Sequence, residues 1–224
     1  MTTIRTSLDA RAITLMLVLC LIWGLQQSVL KLAAPDIAPI MQIAVRSGVA
    51  ALLVGLLMVA RQERIAWAHG NWRAGMLVGF LFGFEFLLVS EALRWTSASH
   101  TAVFLYTAPI FVALGLHVKL PAERLNALQW CGIALAFTGI VVAFIGRGAQ
   151  MASTADPLHI LMGDALALAG GMSWAATTVV IRCSKLASAS ASETLLYQLL
   201  GAFALLLPTA FLTGQFTFRP TLLA

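Results

Sequence analysis

A chain of 224 residues that is 60% hydrophobic and 10% charged, with a mean hydropathy of +0.92, is excluded from the soluble globular class, in which about a quarter of residues are charged. Its net charge of +5 is scattered along the chain and forms no basic stripe, which excludes nucleic-acid binding. No low-complexity tract, Gly/Ser linker or long polar block divides it, so an all-α, polytopic membrane unit with short loops is expected.

The apolar runs predict helices at 12–33, 37–60, 73–95, 98–118, 127–146, 161–183 and 194–213. Each is near the ~20 residues that cross ~30 Å of hydrocarbon. The runs are continuous rather than alternating, which excludes a β-barrel. The first, flanked by Arg5 and Arg11, is longer than the ~7–15-residue core of a secretory signal and is followed by six more, so it reads as a span. The second, MQIAVRSGVAALLVGLLMVA, holds Arg46 among apolar and small residues. A charge at the bilayer centre costs ~2.5–3.5 kcal/mol on insertion scales, so Arg46 should face the bundle interior and have a partner. Glu85 lies about as deep in the third helix. Consecutive spans run antiparallel, and a rise of ~1.5 Å per residue keeps the two within one turn of each other; an Arg46–Glu85 pair is expected.

The third helix also carries Gly75, Gly79 and Gly83 at a spacing of four, and the fifth carries Gly132, Ala136, Gly139, Ala143 and Gly146. Each set makes a smooth stripe where a second backbone can approach closely. Pro109 interrupts the fourth helix and Pro208 the seventh, giving either a fixed kink or a hinge. Glu91 and His100 flank the turn between the third and fourth helices, as an outer gate pair or as solvated loop groups. Cys20, Cys131 and Cys183 are odd in number, far apart and within helices, so they suggest neither a disulfide framework nor a zinc site. No HExxH is present, and Gly170-Gly171-Met172-Ser173-Trp174 has tryptophan where a buried GxSG serine motif needs its last glycine. An enzyme is therefore not expected, nor any cofactor or metal.

Residues 19–34, LCLIWGLQQSVLKLAA, align with 170–185, GGMSWAATTVVIRCSK: Trp23 on Trp174, Gln26-Gln27 on Thr177-Thr178, Val29 on Val180, Lys31 on Arg182. The starts of the two units are five spans apart, and an odd number inverts the second. Inverted repeats are characteristic of secondary transporters, whose substrate site lies near the midplane between the halves. With the N-terminus inside, Arg5, Arg11, Arg61, Arg64, Arg73, Lys119, Arg124, Arg182 and Lys185 fall in inner loops, and only Lys31, Arg94, Arg147 and Arg219 fall outside. That asymmetry favours a cytoplasmic N-terminus.

The block 91–146 is the most specific part of a wider pattern. Ala92-Leu93 precedes the small-residue turn Ser97-Ala98-Ser99, Pro109 lies mid-helix, Glu123 sits in a short loop, and Trp130, Gly132 and Gly139 follow. Together with Trp23-Gly24 and a second start at Gly163-Asp164 through Ser173-Trp174-Ala175, this resembles the EamA-like domain of the drug/metabolite transporter superfamily. The resemblance implies ten helices in two inverted five-helix units, with both termini cytoplasmic, in a cell inner (plasma) membrane exporter of metabolites, amino acids or drugs. This chain is expected to hold a first unit over 12–146 and an incomplete second unit over 161–224, truncated after its seventh helix.

The function expected is that of a secondary-active exporter of small metabolites, amino acids or drugs working by alternating access; the alternative is an inactive fragment or a non-transporting membrane subunit. The substrate-binding residues expected are Trp23, Gln26, Gln27, Arg46, Glu85, Tyr106, Trp174, Tyr197 and Gln198. Arg46 would bind a carboxylate or phosphate, and Glu85 would compete for it or carry a coupling proton. The aromatic residues offer amphipathic faces to a cavity, and the glutamines need hydrogen-bond partners in oil, from cargo or from neighbouring helices. The partners expected are a small-molecule substrate, a coupled proton, the lipid bilayer and a second copy in a homodimer.

Overall fold

The computed structural model describes residues 10–33, 36–63, 71–121, 124–148 and 157–216. Among them are eight α-helices: α1 (Ala10–Ala33), α2 (Pro39–Ala60), α3 (Asn71–Trp95), α4 (Ala98–Leu105), α5 (Ala108–Lys119), α6 (Ala127–Gly148), α7 (Pro157–Arg182) and α8 (Ala191–Leu212). No strand occurs among these residues, and the chain is an all-α polytopic membrane protein. By length and composition five stretches can cross a membrane: Pro39–Ala60, Asn71–Trp95, His100–Lys119, Pro157–Arg182 and Ala191–Leu212.

The fourth predicted span is two helices. Thr107 ends the break between α4 and α5, and Pro109 occupies the first turn of α5. A proline has no N–H to donate and is tolerated there. The Thr107 hydroxyl donates to the Phe104 carbonyl at 2.6 Å, meeting part of the hydrogen-bonding need that a helix break exposes in lipid. Pro208, in contrast, lies inside an unbroken α8.

α3 is the central helix. It runs parallel to α8, with Gly75 beside Tyr197, Gly79 beside Tyr197 and Gly201, and Gly83 beside Ala202 and Leu205. A Cβ added at Gly79 would lie 2.5 Å from the Tyr197 carbonyl oxygen, and Gly201 presses on the Gly79 backbone. The stripe read in the third helix is thus a true backbone-to-backbone seam. α2 packs antiparallel on the far side of α8, where Ile40, Ile43 and Ala44 meet Ala202, Leu206 and Ala210 in the best-buried apolar cluster.

Among the described residues α3 packs mainly against α7 and α8, and α2 against α8, while α2 and α3 touch each other little. The small faces of α7 and α8 favour this, since they let backbones approach where bulky faces do not. One expectation changes: the stripe of the fifth helix does not mark a contact. A Cβ added at Gly132 or Gly139 would meet nothing within 4 Å, and the Ala143 and Gly146 side positions lie outside the described residues. Smoothness permits a close approach; it does not supply a partner.

Candidate functional site

One face of α7 is made of small residues: Gly163, Ala167, Gly170, Gly171, Ser173, Ala175 and Thr177 are all buried. This face lets α7 pack closely on α3 and on the α4–α5 break together. A Cβ added at Gly170 would lie 3.2 Å from Val89 and 3.7 Å from the Glu85 carbonyl oxygen; at Gly171 it would lie 3.0 Å from the Phe104 carbonyl oxygen and 3.2 Å from that of Leu105. Gly170–Gly171 is therefore the point where α3, at Glu85, and the broken span meet. Ser173 ties the crossing together by donating its hydroxyl to the Leu81 carbonyl at 2.8 Å. Thr177 and Thr178 satisfy their own hydroxyls within α7, on the Ser173 and Trp174 carbonyls.

Glu85 is 6% exposed, and its Oε2 is buried with no hydrogen-bond partner. On the other side of the same crossing, Trp174 and Thr178 of α7 face Ala108, Pro109, Val112 and Leu116 of α5 across a cavity of about 380 Å³. That volume is in the ~300–1,000 Å³ range of small-molecule sites. A mid-span carboxyl, a broken helix and a cavity with an indole wall thus share one short segment of α7.

The expected pairing of Arg46 with Glu85 is not formed. The Arg46 guanidinium lies over the Phe86 ring, 5.6 Å from its centroid. Residues 85 and 86 point ~100° apart around a helix, and Phe86 packs against the α2–α8 cluster. Depth brought the two charges level, but azimuth separated them. In a double-mutant cycle of Arg46→Ala and Glu85→Ala, the stability effects are expected to add to within ~0.5 kcal/mol, as for sites sharing no partner. A coupling above ~1 kcal/mol by reversible unfolding in detergent would show the pair to exist. Arg46→Ala alone should cost the ~0.5–1 kcal/mol of a cation–π contact.

Of the other expected site residues, Trp174 lines the cavity and Tyr106 sits at the break, 41% exposed. Tyr197 lies elsewhere, packed on Gly75 in the α3–α8 seam, and Gln198 follows it, half-buried. The side chains of Trp23, Gln26 and Gln27 lie outside the described residues. Thr107 and Ser173 were not foreseen; the only local signal was a hydroxyl two residues before a mid-helix proline and another beside a Gly-Gly pair.

Glu91 and His100, read as an outer gate pair or as solvated loop groups, do not pair with each other. Glu91 pairs with Arg94 on its own helix at 2.9 Å. His100 instead meets Asp164 of α7, Nδ1 to Oδ2 at 3.0 Å, and Thr96 donates its hydroxyl to Asp164 Oδ1 at 2.8 Å. Asp164 thereby fastens the start of α7 to the α3–α4 turn. Asp164→Ala leaves both partners without their acceptor and is expected to cost about 1–3 kcal/mol. The check is a Tm drop of several degrees, larger than the drop for Glu91→Ala, whose ion pair is exposed.

Residues 10–145 match the family model described as the EamA-like transporter family. The chain belongs to the EamA-like transporter family. This EamA-like chain is similar to the uncharacterized transporter YoaV of Bacillus subtilis (strain 168), 22% identical over 160 residues, covering 71% of this chain and 53% of that protein. It is also similar to an uncharacterized transporter of Archaeoglobus fulgidus, 31% identical over 173 residues, covering 74% of this chain and 54% of that protein. The EamA-like chain spans about half the length of these curated relatives. No solved structure matches it significantly. Family and relatives point to a membrane transporter rather than an enzyme.

Proposed function

We propose that the chain acts in secondary-active transport, exporting small metabolites, amino acids or drugs by alternating access with proton coupling. The observation that carries this is the span broken at Tyr106–Thr107 and packed on Gly170–Gly171 beside Glu85. Discontinuous helices are where transporters build their mid-membrane sites, because non-helical backbone is tolerated in a membrane only when protein or a cavity covers it. In this reading Trp174 and Tyr106 present amphipathic rings to the cargo, and Glu85 carries the coupling proton. Arg46, at the level of Glu85 but on the α2 side, attracts a cargo carboxylate or phosphate. Trp23, Gln26 and Gln27 of α1, the repeat counterparts of Trp174, Thr177 and Thr178, contribute from the other half. In this reading the membrane is an inner membrane, and the excess of basic residues among the inner loops favours a cytoplasmic N-terminus and 61–72 loop.

The test uses the whole chain in proteoliposomes loaded with a pH-sensitive dye. Amino acids, organic anions and amphipathic drugs are added one at a time. At least one class should drive proton movement across the bilayer. Silence across the panel, from protein that is folded and inserted, would favour a non-transporting membrane subunit.

A further inference from the structure

A second site lies on the opposite face of α3, away from the crossing at Glu85. It occupies the groove between α3 and α8 near the end where both helices begin. This groove, about 380 Å³, is walled by Met76 and Phe80 of α3 and by Leu196 and Leu200 of α8, and Glu193 and Tyr197 open onto it. Its walls are apolar, yet Glu193 is only 3% exposed. The Glu193 Oε1 and the Tyr197 hydroxyl are both buried without a hydrogen-bond partner. These residues are four apart on α8 and share one helix face.

A third acceptor belongs to the same level. Gly75 meets Tyr197 and Gly79 meets Gly201, so the parallel helices keep one register. Carried one turn back, that register sets Asn71 level with Glu193. Asn71 is 5% exposed, and its Oδ1 too is buried without a partner. The helix start does not explain Glu193. In a capping box, a glutamate at the third helical position reaches back to the cap residue's amide. Here the cap interaction runs the other way only, with the Glu193 amide donating to Ser190 Oγ at 3.1 Å. None of the ion pairs among the described residues involves Glu193.

A buried carboxylate with no counter-charge is costly, and removing it from water is offset only by a cation with good geometry. Two acceptors opening onto an apolar groove, with a third at the same level beside them, match a group with three N–H donors, a positive charge and a hydrocarbon attachment. We propose that this groove binds a primary ammonium carried on an apolar chain, its three N–H groups directed to Glu193, Tyr197 and Asn71 and its chain lying between Met76, Phe80 and Leu200. A free alkylamine or cationic amphiphile has this chemistry, and so does an aminoethyl lipid headgroup. The inference does not rest on the transport reading, since neither Glu85 nor the α4–α5 break takes part.

The test measures binding to the purified full chain in phosphatidylcholine nanodiscs by calorimetry. The probes are decylammonium, decyltrimethylammonium and decanol, which share one chain. Decylammonium should bind at least about tenfold more tightly than decyltrimethylammonium, which has no N–H to donate, and more tightly still than uncharged decanol. Glu193→Gln should weaken decylammonium about tenfold or more and leave decanol unchanged. Tyr197→Phe keeps the ring against Gly75 and removes only the hydroxyl; it should weaken decylammonium severalfold, and it serves as the variant if Glu193→Gln does not fold. Repeating the wild-type titration in nanodiscs containing phosphatidylethanolamine separates the sources: an apparent weakening of decylammonium identifies the lipid headgroup as the resident ligand, and an unchanged Kd identifies a free amine. Equal binding of the three probes, or variants that bind decylammonium as the wild type does, would overturn the assignment.

Discussion

Replacing Gly79 with leucine should prevent the bundle from folding. The argument rests on what the new side chain would meet. Overpacking costs about 1–3 kcal/mol when neighbouring side chains can turn aside. At Gly79 the neighbours are the Tyr197 carbonyl oxygen, 2.5 Å from an added Cβ, and the backbone of Gly201. Backbone in the middle of a helix cannot turn aside, so α3 and α8 must separate. Their separation also opens α8 to α2, because α8 is packed between the two. The loss should exceed that of ordinary overpacking and consume most of a marginal stability of about 5–15 kcal/mol. A fluorescent fusion on size exclusion should show a monodisperse peak reduced at least about fivefold, which requires the loss of essentially all of that stability. Gly132→Leu and Gly139→Leu are the matched controls. Both sit in helical glycine stripes, but an added Cβ there meets nothing within 4 Å, so their effects should stay within ~0.5 kcal/mol. If all three variants behave alike, the seam between α3 and α8 is not how this chain packs.

That contrast shows what the sequence reveals about this fold. The spans are legible because lipid imposes one rule on every spanning segment: about 20 apolar residues with their backbone bonded internally. The break before Pro109 is only half legible, since Pro208 lacks the same N–H and α8 runs through it unbroken. What a helix face touches is not written in the sequence. The stripes at Gly75/Gly79/Gly83 and Gly132/Gly139 look alike as sequence, and only the presence of Gly201 and Ala202 opposite the first makes it a seam. The polar pairs fail in the same way. Sequence distance gave Arg46 and Glu85 a common depth, but the partner of Arg46 is the neighbouring Phe86. His100 was read with nearby Glu91, whereas its carboxylate lies 64 residues away at Asp164. Thr107 and Ser173 carry little sequence signal because their role is to bond a carbonyl that only the fold brings to them.

Substituting Glu85 with glutamine should separate its chemistry from its packing. Glutamine has nearly the same volume and presents no charge. Glu85 has no counter-charge among the described residues, and its Oε2 has no hydrogen-bond partner. Replacing an uncompensated buried ionisable group with a neutral isostere is neutral or stabilising, so Glu85→Gln should fold with a Tm equal to or above that of the parent. Transport should respond in the opposite direction. If Glu85 carries the coupling proton, the variant has no group at the crossing that can take up and release one, and solute-driven proton flux should fall about 100-fold or more, the scale on which a positioned proton carrier contributes. Glu85→Asp keeps the carboxyl but shortens its reach, and should retain measurable flux. Solute movement measured without a pH gradient completes the comparison. A variant that still exchanges solute across the bilayer but no longer moves protons assigns Glu85 to coupling. A variant that loses both assigns it to cargo binding. Wild-type proton flux in Glu85→Gln would make the carboxyl a packing group and leave the cavity beside Trp174 as the only part of the crossing to carry transport.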